Sequence, residues 1–211
     1  MTIRKSLALA IALVGLTLAG TANAAIIFSD DFDGEGPWSL DFDSFSQWTV
    51  SDGTVDLIGV GTPYDFLPGN GLYVDMDGSS GNAGKLTSIA INLAAGTYTL
   101  QFDLAGNQRN GSTESVTVQV NMGSLVSDSI SLAQNADFTT FQYTFSVAAP
   151  TVVNLSFEGA GGDNVGMLLD NVSVSIPEPG TLALLGLGLV GAGFARRRER
   201  RAALHTPESA R

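Results

Sequence analysis

Residues 98–104 read Tyr98-Thr99-Leu100-Gln101-Phe102-Asp103-Leu104, with every second side chain apolar and each one between polar. A period of two marks a β-strand buried on one face, because successive side chains of a strand point to opposite sides. The alternation returns in Val116, Val118 and Val120, in Phe141, Tyr143, Phe145 and Val147, in Val153, Leu155 and Phe157, and in Val172 and Val174. Further strands are expected over 47–51, 54–58, 72–75 and 85–93. Turn pairs such as Asp52-Gly53, Asn70-Gly71, Asp77-Gly78, Ala95-Gly96 and Gly161-Gly162 separate them. Helix formers are scarce between residues 25 and 176, where one lysine, one arginine and three glutamates stand among abundant threonine, valine and glycine. The expectation is an all-β domain, an antiparallel two-sheet β-sandwich of jelly-roll type, with a single barrel as the alternative.

Around this domain the charge is unevenly spread. The 211 residues carry 10 Lys+Arg against 21 Asp+Glu, a net charge of −11. Residues 1–24 contribute +2, residues 25–176 contribute −16 from 18 acids against Lys85 and Arg109, and residues 177–211 contribute +3. An acidic domain of this kind lacks the basic face that nucleic acid requires. The absence of cysteine excludes disulfides, thiolate metal sites and thiol nucleophiles. The one histidine, His205, lies in the tail, so histidine-dependent triads and histidine metal sites are absent from the domain. Glycosidases need only two carboxylates at ~5 to 9.5 Å, a spacing that so many acids meet by chance, so the count points to no enzyme.

Both ends read as addresses. Arg4 and Lys5 precede an apolar stretch, and Ala22-Asn23-Ala24 closes it with small residues, the pattern of a secretory signal peptide over residues 1–24, cut before Ala25 by signal peptidase. At the far end Ile176-Pro177-Glu178-Pro179 precedes an apolar run over 181–195 and then Arg196-Arg197-Arg198-Glu199-Arg200-Arg201. The prolines keep the motif extended, a shape that a protease can thread. The run, as a helix, covers ~22 Å of a ~30 Å hydrocarbon core, a deficit that snorkelling arginines can make up. The positive-inside rule then leaves the arginines cytoplasmic and the acidic domain on the other side.

That order of three parts resembles the PEP-CTERM sorting signal, in which a Pro-Glu-Pro motif, a short membrane helix and an Arg-rich end are read by an exosortase. Pro177, Glu178 and Pro179 match its motif and Arg196, Arg197 and Arg198 its basic end, while Ile176 stands where that family most often has valine. The resemblance implies an inner-membrane-tethered precursor with a periplasmic ectodomain, cleavage near the motif, and transfer to the cell surface or the extracellular polysaccharide matrix. The chain divides accordingly into the signal peptide, an ectodomain over 25–175, the sorting signal over 176–201 and a disordered tail over 202–211.

The opening Phe28-Ser29-Asp30-Asp31-Phe32-Asp33-Gly34-Glu35-Gly36 and the final Leu168-Leu169-Asp170-Asn171-Val172-Ser173-Val174 resemble jelly-roll carbohydrate-binding and galactose-binding-like modules. In those modules the first and last strands pair near a structural calcium ion. Asp170 shares strand parity with Leu168, Val172 and Val174 and so is expected on the core face, where a carboxylate needs a partner. Either a calcium ion held by Asp170 with Asp31 or Asp33, flanking a buried Phe32, or hydrogen bonds from turn amides would meet that need. The loop 75–82 is a second oxygen-rich stretch, but it lacks the spacing and terminal glutamate of an EF-hand and reads more readily as a solvated turn. For carbohydrate, which takes an aromatic platform with planar polar groups, the candidates are Trp38, Trp48, Tyr64 and Tyr73 with Asn107, Gln108 and Arg109, Trp48 being better explained as core. The leading expectation is an exported, non-catalytic structural or adhesive surface protein. A carbohydrate-binding module for matrix polysaccharide is the runner-up, ahead of a hydrolase or an ice-binding protein.

Overall fold

The computed structural model describes residues 24–109 and 114–177, together with Gly188, Gly191 and Gly193, which are helical. The expected signal peptide up to residue 23, Glu178, Pro179, Arg196, Arg197, Arg198, the rest of the run over 181–195 that is expected to be a membrane helix, and the tail over 202–211 lie outside the described residues. Among the described residues no helix is long and apolar enough to cross a membrane, which says nothing of strands.

Residues Ala25–Ile176 form one compact unit. Its strands are β1 (Ala25–Asp30), β2 (Trp48–Ser51), β3 (Asp56–Gly59), β4 (Leu72–Asp75), β5 (Lys85–Ser88), β6 (Ile91–Leu93), β7 (Gly96–Ala105), β8 (Glu114–Val120), β9 (Val126–Leu132), β10 (Thr139–Val147), β11 (Thr151–Val153), β12 (Leu155–Ala160) and β13 (Leu168–Ile176). The first sheet runs β10-β7-β13-β4-β3, with β1 also on β13. The second runs β2-β5-β12-β8-β9, and β6 pairs with β11 in a small third one. Every ladder is antiparallel. The chain crosses between the two main sheets from β1 to β2, β2 to β3, β4 to β5, β7 to β8, β9 to β10 and β12 to β13, the crossing pattern of a jelly-roll sandwich. The expected two-sheet architecture is the one observed.

The alternating residues explain why the sheets close on each other. Leu100, Phe102 and Leu104 of β7 and Val172 and Val174 of β13 face Val116, Val118 and Val120 of β8 and Leu155 and Phe157 of β12, all buried in one cluster. Each large apolar side chain so buried stabilises the fold by about 1.5–3 kcal/mol. Trp48 belongs to this core and donates its indole N–H to Asp30 at 2.8 Å. Phe32 is fully buried beside it, their ring centroids 6.1 Å apart.

Strand β13 is held on both edges. β7 follows one edge from Leu168 to Ser175, and the other is shared by β4 at Leu168–Leu169 and β1 from Val172 to Ile176. Ala25 pairs with Ile176, so the first and last residues of the sandwich are neighbours.

Two expectations need correction. The stretch 85–93 is not one strand: it breaks after Ser88, and β5 joins the second sheet while β6 pairs with β11. Asp170 is not on the core face with Val172 and Val174. The register slips between Asp170 and Ser173, with Asn171 at φ 50°. An extra residue in a strand reverses the parity beyond it. Asp170 therefore lies opposite Asp103, with Leu168, on the outer face.

Candidate functional site

One half of that outer face is apolar and covered. Ile58 of β3, Tyr73 of β4, Ala105 of β7 and Leu168 of β13 form a second buried cluster, roofed by Leu40, Tyr64, Phe66, Leu67 and Phe138. The roof is mainly the β3–β4 loop, residues 60–71. Its neck closes with the Val60 N–H on the Gly71 carbonyl at 2.8 Å. Gly59 makes the neck possible: it sits at φ 123°, and a Cβ there would stand 2.2 Å from the Gly71 oxygen. Beneath the loop, the Tyr73 hydroxyl accepts the N–H groups of Phe66 at 2.7 Å and Leu67 at 3.1 Å. Tyr73 is fully buried. It is therefore a post under the loop and not a surface platform for sugar, which corrects its place among the candidates.

Above the post lies an aromatic ledge. Ser39 is tied to Leu57 of the edge strand by two backbone hydrogen bonds, and this fixes its neighbour Trp38 at the rim. Trp38 is 40% exposed, and its ring meets Tyr64 edge-on at 6.0 Å. Tyr64 meets Phe66 at 6.4 Å, and the Arg109 guanidinium lies 5.1 Å from the centre of the Phe66 ring. Trp38, Tyr64 and Arg109 thus converge although 71 positions separate the first from the last. Phe66 belongs to the same row and was not among the sequence candidates. Its signal was the alternation Tyr64-Asp65-Phe66 inside a loop rich in glycine and proline.

Arg109 fastens the ledge from behind. Its guanidinium pairs with the fully buried Asp75, and donates to the carbonyls of Asn164 at 2.9 Å and Asn107 at 3.3 Å. Asn107, itself buried, accepts the Arg109 N–H, and the Gln108 side chain donates to the Ala136 carbonyl at 2.7 Å. These polar candidates hold the loops together. Burial pushes the Asp75 carboxyl up to about 7 against the pull of Arg109 and of the Asp77 and Gly166 amides, and Asp56 pushes it further. Contact with the guanidinium favours its ionised form. Asp77, from the oxygen-rich loop 75–82, is likewise fully buried and accepts the N–H groups of Gly162 and Asp163. That loop is a staple for residues 161–166 and not a solvated turn.

The calcium candidates sit at a neighbouring corner. Asp170 is buried and pushed up to about 7 by desolvation, against the Asn171 amide, with Asp103, Asp33 and Asp31 raising it further. These carboxylates are the oxygen donors that calcium takes. Asp33, however, commits one oxygen to the Leu72 N–H at 2.7 Å, packed against Gly71 where a Cβ would stand 2.1 Å away. Asp31 is exposed and accepts the Asp33 N–H. Among the described residues no group of three or more acidic or histidine side chains gathers as a metal site. The corner thus has the charge and donor type for calcium without a finished cage. Beyond it lies an open polar cleft of about 560 Å³, lined among others by Asp31, Glu35, Gln47, Gln101, Asp103 and Asn171.

The raised Asp170 carboxyl sets a pH dependence. A group whose pKa rises from 3.8 to about 7 on folding contributes stability that is complete below 3.8, falls as pH rises toward 7, and is constant above it. Thermal melts are expected to show the melting temperature decreasing between about pH 4 and pH 7. The decrease should be shallower in Asp170→Asn, and an identical slope would detach it from Asp170.

Comparison with known proteins adds a motif and structural likenesses. A family model described as the PEP-CTERM protein-sorting motif matches residues 175–201, and the chain carries that motif. No curated protein matches. Among solved structures, the chain is similar to an isomalto-dextranase of Arthrobacter globiformis T6 complexed with panose, at 20% identity and a TM-score of 0.39 over 65% of this chain and 22% of that one. It therefore spans less than a quarter of that enzyme. It is also similar to a carbohydrate-binding module of Cellvibrio mixtus lichenase 5A in complex with cellotriose, at 17% identity and TM-score 0.37, over 71% of this chain and 97% of that one. A third likeness is the K3 cleaved adhesin domain of Lys-gingipain from Porphyromonas gingivalis W83, at 18% identity and TM-score 0.46, over 72% of this chain and 99% of that one.

Proposed function

We propose, from the premise that a PEP-CTERM motif marks an exported protein anchored at the membrane before processing, that the sandwich is a non-catalytic module binding surface or matrix polysaccharide. Signal peptidase and an exosortase act at its two ends, and the ectodomain passes from the periplasmic side of the inner membrane to the cell surface. One observation supports the binding role: the exposed Trp38 ring stands against Tyr64 on a loop held in place by Tyr73. A platform ordered before the ligand arrives loses little conformational entropy on binding, and aromatic faces match the apolar faces of sugar rings. The structural or adhesive role follows from holding polysaccharide without cleaving it. Electrophoresis of the full chain through gels cast with different polysaccharides tests this. Retardation by at least one polymer, lost in Trp38→Ala, is expected, and no retardation by any polymer removes the reading.

We also propose a structural calcium ion at the Asp170 corner, supported by its buried carboxylate facing Asp103, Asp33 and Asp31. Calcium added at alkaline pH should raise the melting temperature of the wild type and leave Asp170→Asn unchanged. A wild type that does not respond removes the metal.

A further inference from the structure

The charges around the ledge narrow the sugar chemistry it can accept, an inference that rests on the polysaccharide reading above. Between residues 25 and 176 the chain has 18 carboxylates and two cationic side chains. Both cations are already paired with carboxylates. Lys85 pairs with Glu158 at 3.2 Å on the second sheet, and Arg109 is paired with Asp75 and donates to two backbone carbonyls. Asp65 follows Tyr64 in the same loop, with one carboxylate oxygen 3.5 Å from the Tyr73 hydroxyl beneath the ledge, and exposed Asp41 and Asp43 follow Trp38 by three and five residues.

An acidic saccharide on Trp38 would bring its carboxylates or sulfates into a field where both cations of the described sandwich are already neutralised by carboxylates, and like charges left uncompensated oppose binding. A sugar ammonium meets the reverse situation. It is attracted by the flanking carboxylates and by the negative face of an exposed indole, the best of the aromatic rings for a cation. We infer that the Trp38–Tyr64 ledge selects glycans bearing free amino groups, such as de-N-acetylated amino-sugar polymers, and rejects uronate-rich and sulfated ones. Neutral sugars retain the stacking contact alone and rank between the two.

The test compares 1,4-linked tetramers that differ in charge: glucosamine, N-acetylglucosamine and galacturonate. Each is titrated into the full chain in non-ionic detergent, at a pH low enough to protonate the amines, with binding read by calorimetry. At about 20 mM salt, where screening reaches only beyond ~20 Å, the glucosamine tetramer should bind at least about tenfold more tightly than its acetylated twin. The advantage should shrink at about 0.5 M salt, where charges more than ~4 Å apart are screened. Asp43→Asn, which removes one flanking carboxylate from an exposed position, should reduce the advantage. Equal binding of the two twins, or galacturonate binding as tight as glucosamine, overturns the charge selection. Glucosamine binding that survives in Trp38→Ala also overturns it, since the attraction would then be diffuse and not seated on the ledge. If no tetramer and no polysaccharide binds at all, the polysaccharide reading itself fails.

Discussion

Arg109→Ala is expected to lower the melting temperature of the sandwich by about 6–20 °C. Removing the guanidinium leaves Asp75 fully buried and without its counter-charge. Breaking one side of a buried pair costs about 3–5 kcal/mol, and a domain of this size shifts by roughly 2–4 °C for each of them. The loss reaches beyond the pair, because Arg109 also ties the Asn164 and Asn107 carbonyls and lies against Phe66. Adding Asp75→Asn to Arg109→Ala should recover part of the loss, since a neutral amide is cheaper to bury than a carboxylate. Circular dichroism melts of the three variants and the wild type decide the matter. A fall of less than about 2 °C in Arg109→Ala would show the pair to be solvated and worth no more than a surface bridge.

The second large effect is on binding and leaves the fold alone. Trp38→Ala should weaken polysaccharide affinity by about 30-fold, the equivalent of the ~2 kcal/mol lost when an anchoring aromatic is truncated. Its melting temperature should stay within about 1 °C of the wild type, because a side chain 40% exposed at the rim supports little packing. Tyr64→Ala provides the contrast. Tyr64 roofs the outer cluster over Tyr73, so its truncation should reduce stability and affinity together. A Trp38→Ala protein that binds as the wild type does would move the binding surface elsewhere on the sandwich.

Much of this fold could be inferred from alternation alone, because β7, β8, β10 and β12 each bury one face in the main core. Strand β9 escaped because Val-Ser-Asp-Ser-Ile-Ser-Leu places only Val126 and Ile130 in the buried class, four residues apart, which no period of two reveals. The parity of Asp170 was misread for a different reason. A bulge at Asn171 is one residue in a left-handed conformation, and asparagine adopts that conformation without the sequence having to announce it. The ledge was legible as a list of aromatic candidates and not as an arrangement. Trp38 and Tyr64 meet only because the 60–71 loop folds back over the sheet, and that depends on the Gly59 neck and on a buried tyrosine hydroxyl. Tyr73 showed the same composition signal as Tyr64, and strand parity alone could not say that the outer face beneath it would be roofed.

The pairing of Ala25 with Ile176 has a mechanical side. A polysaccharide that tugs on the ledge, while the chain is still held through Pro177, loads β13 from its carboxy-terminal end and along its own axis. Ladders on both of its edges, to β7 on one side and to β1 and β4 on the other, then carry the force in shear, many hydrogen bonds at once. A hairpin at the rim would instead open rung by rung. The strand nearest the anchor point is thus braced along both edges against extraction, and a pulling experiment through residue 177 should meet its highest rupture force when β13 slides out of the sheet.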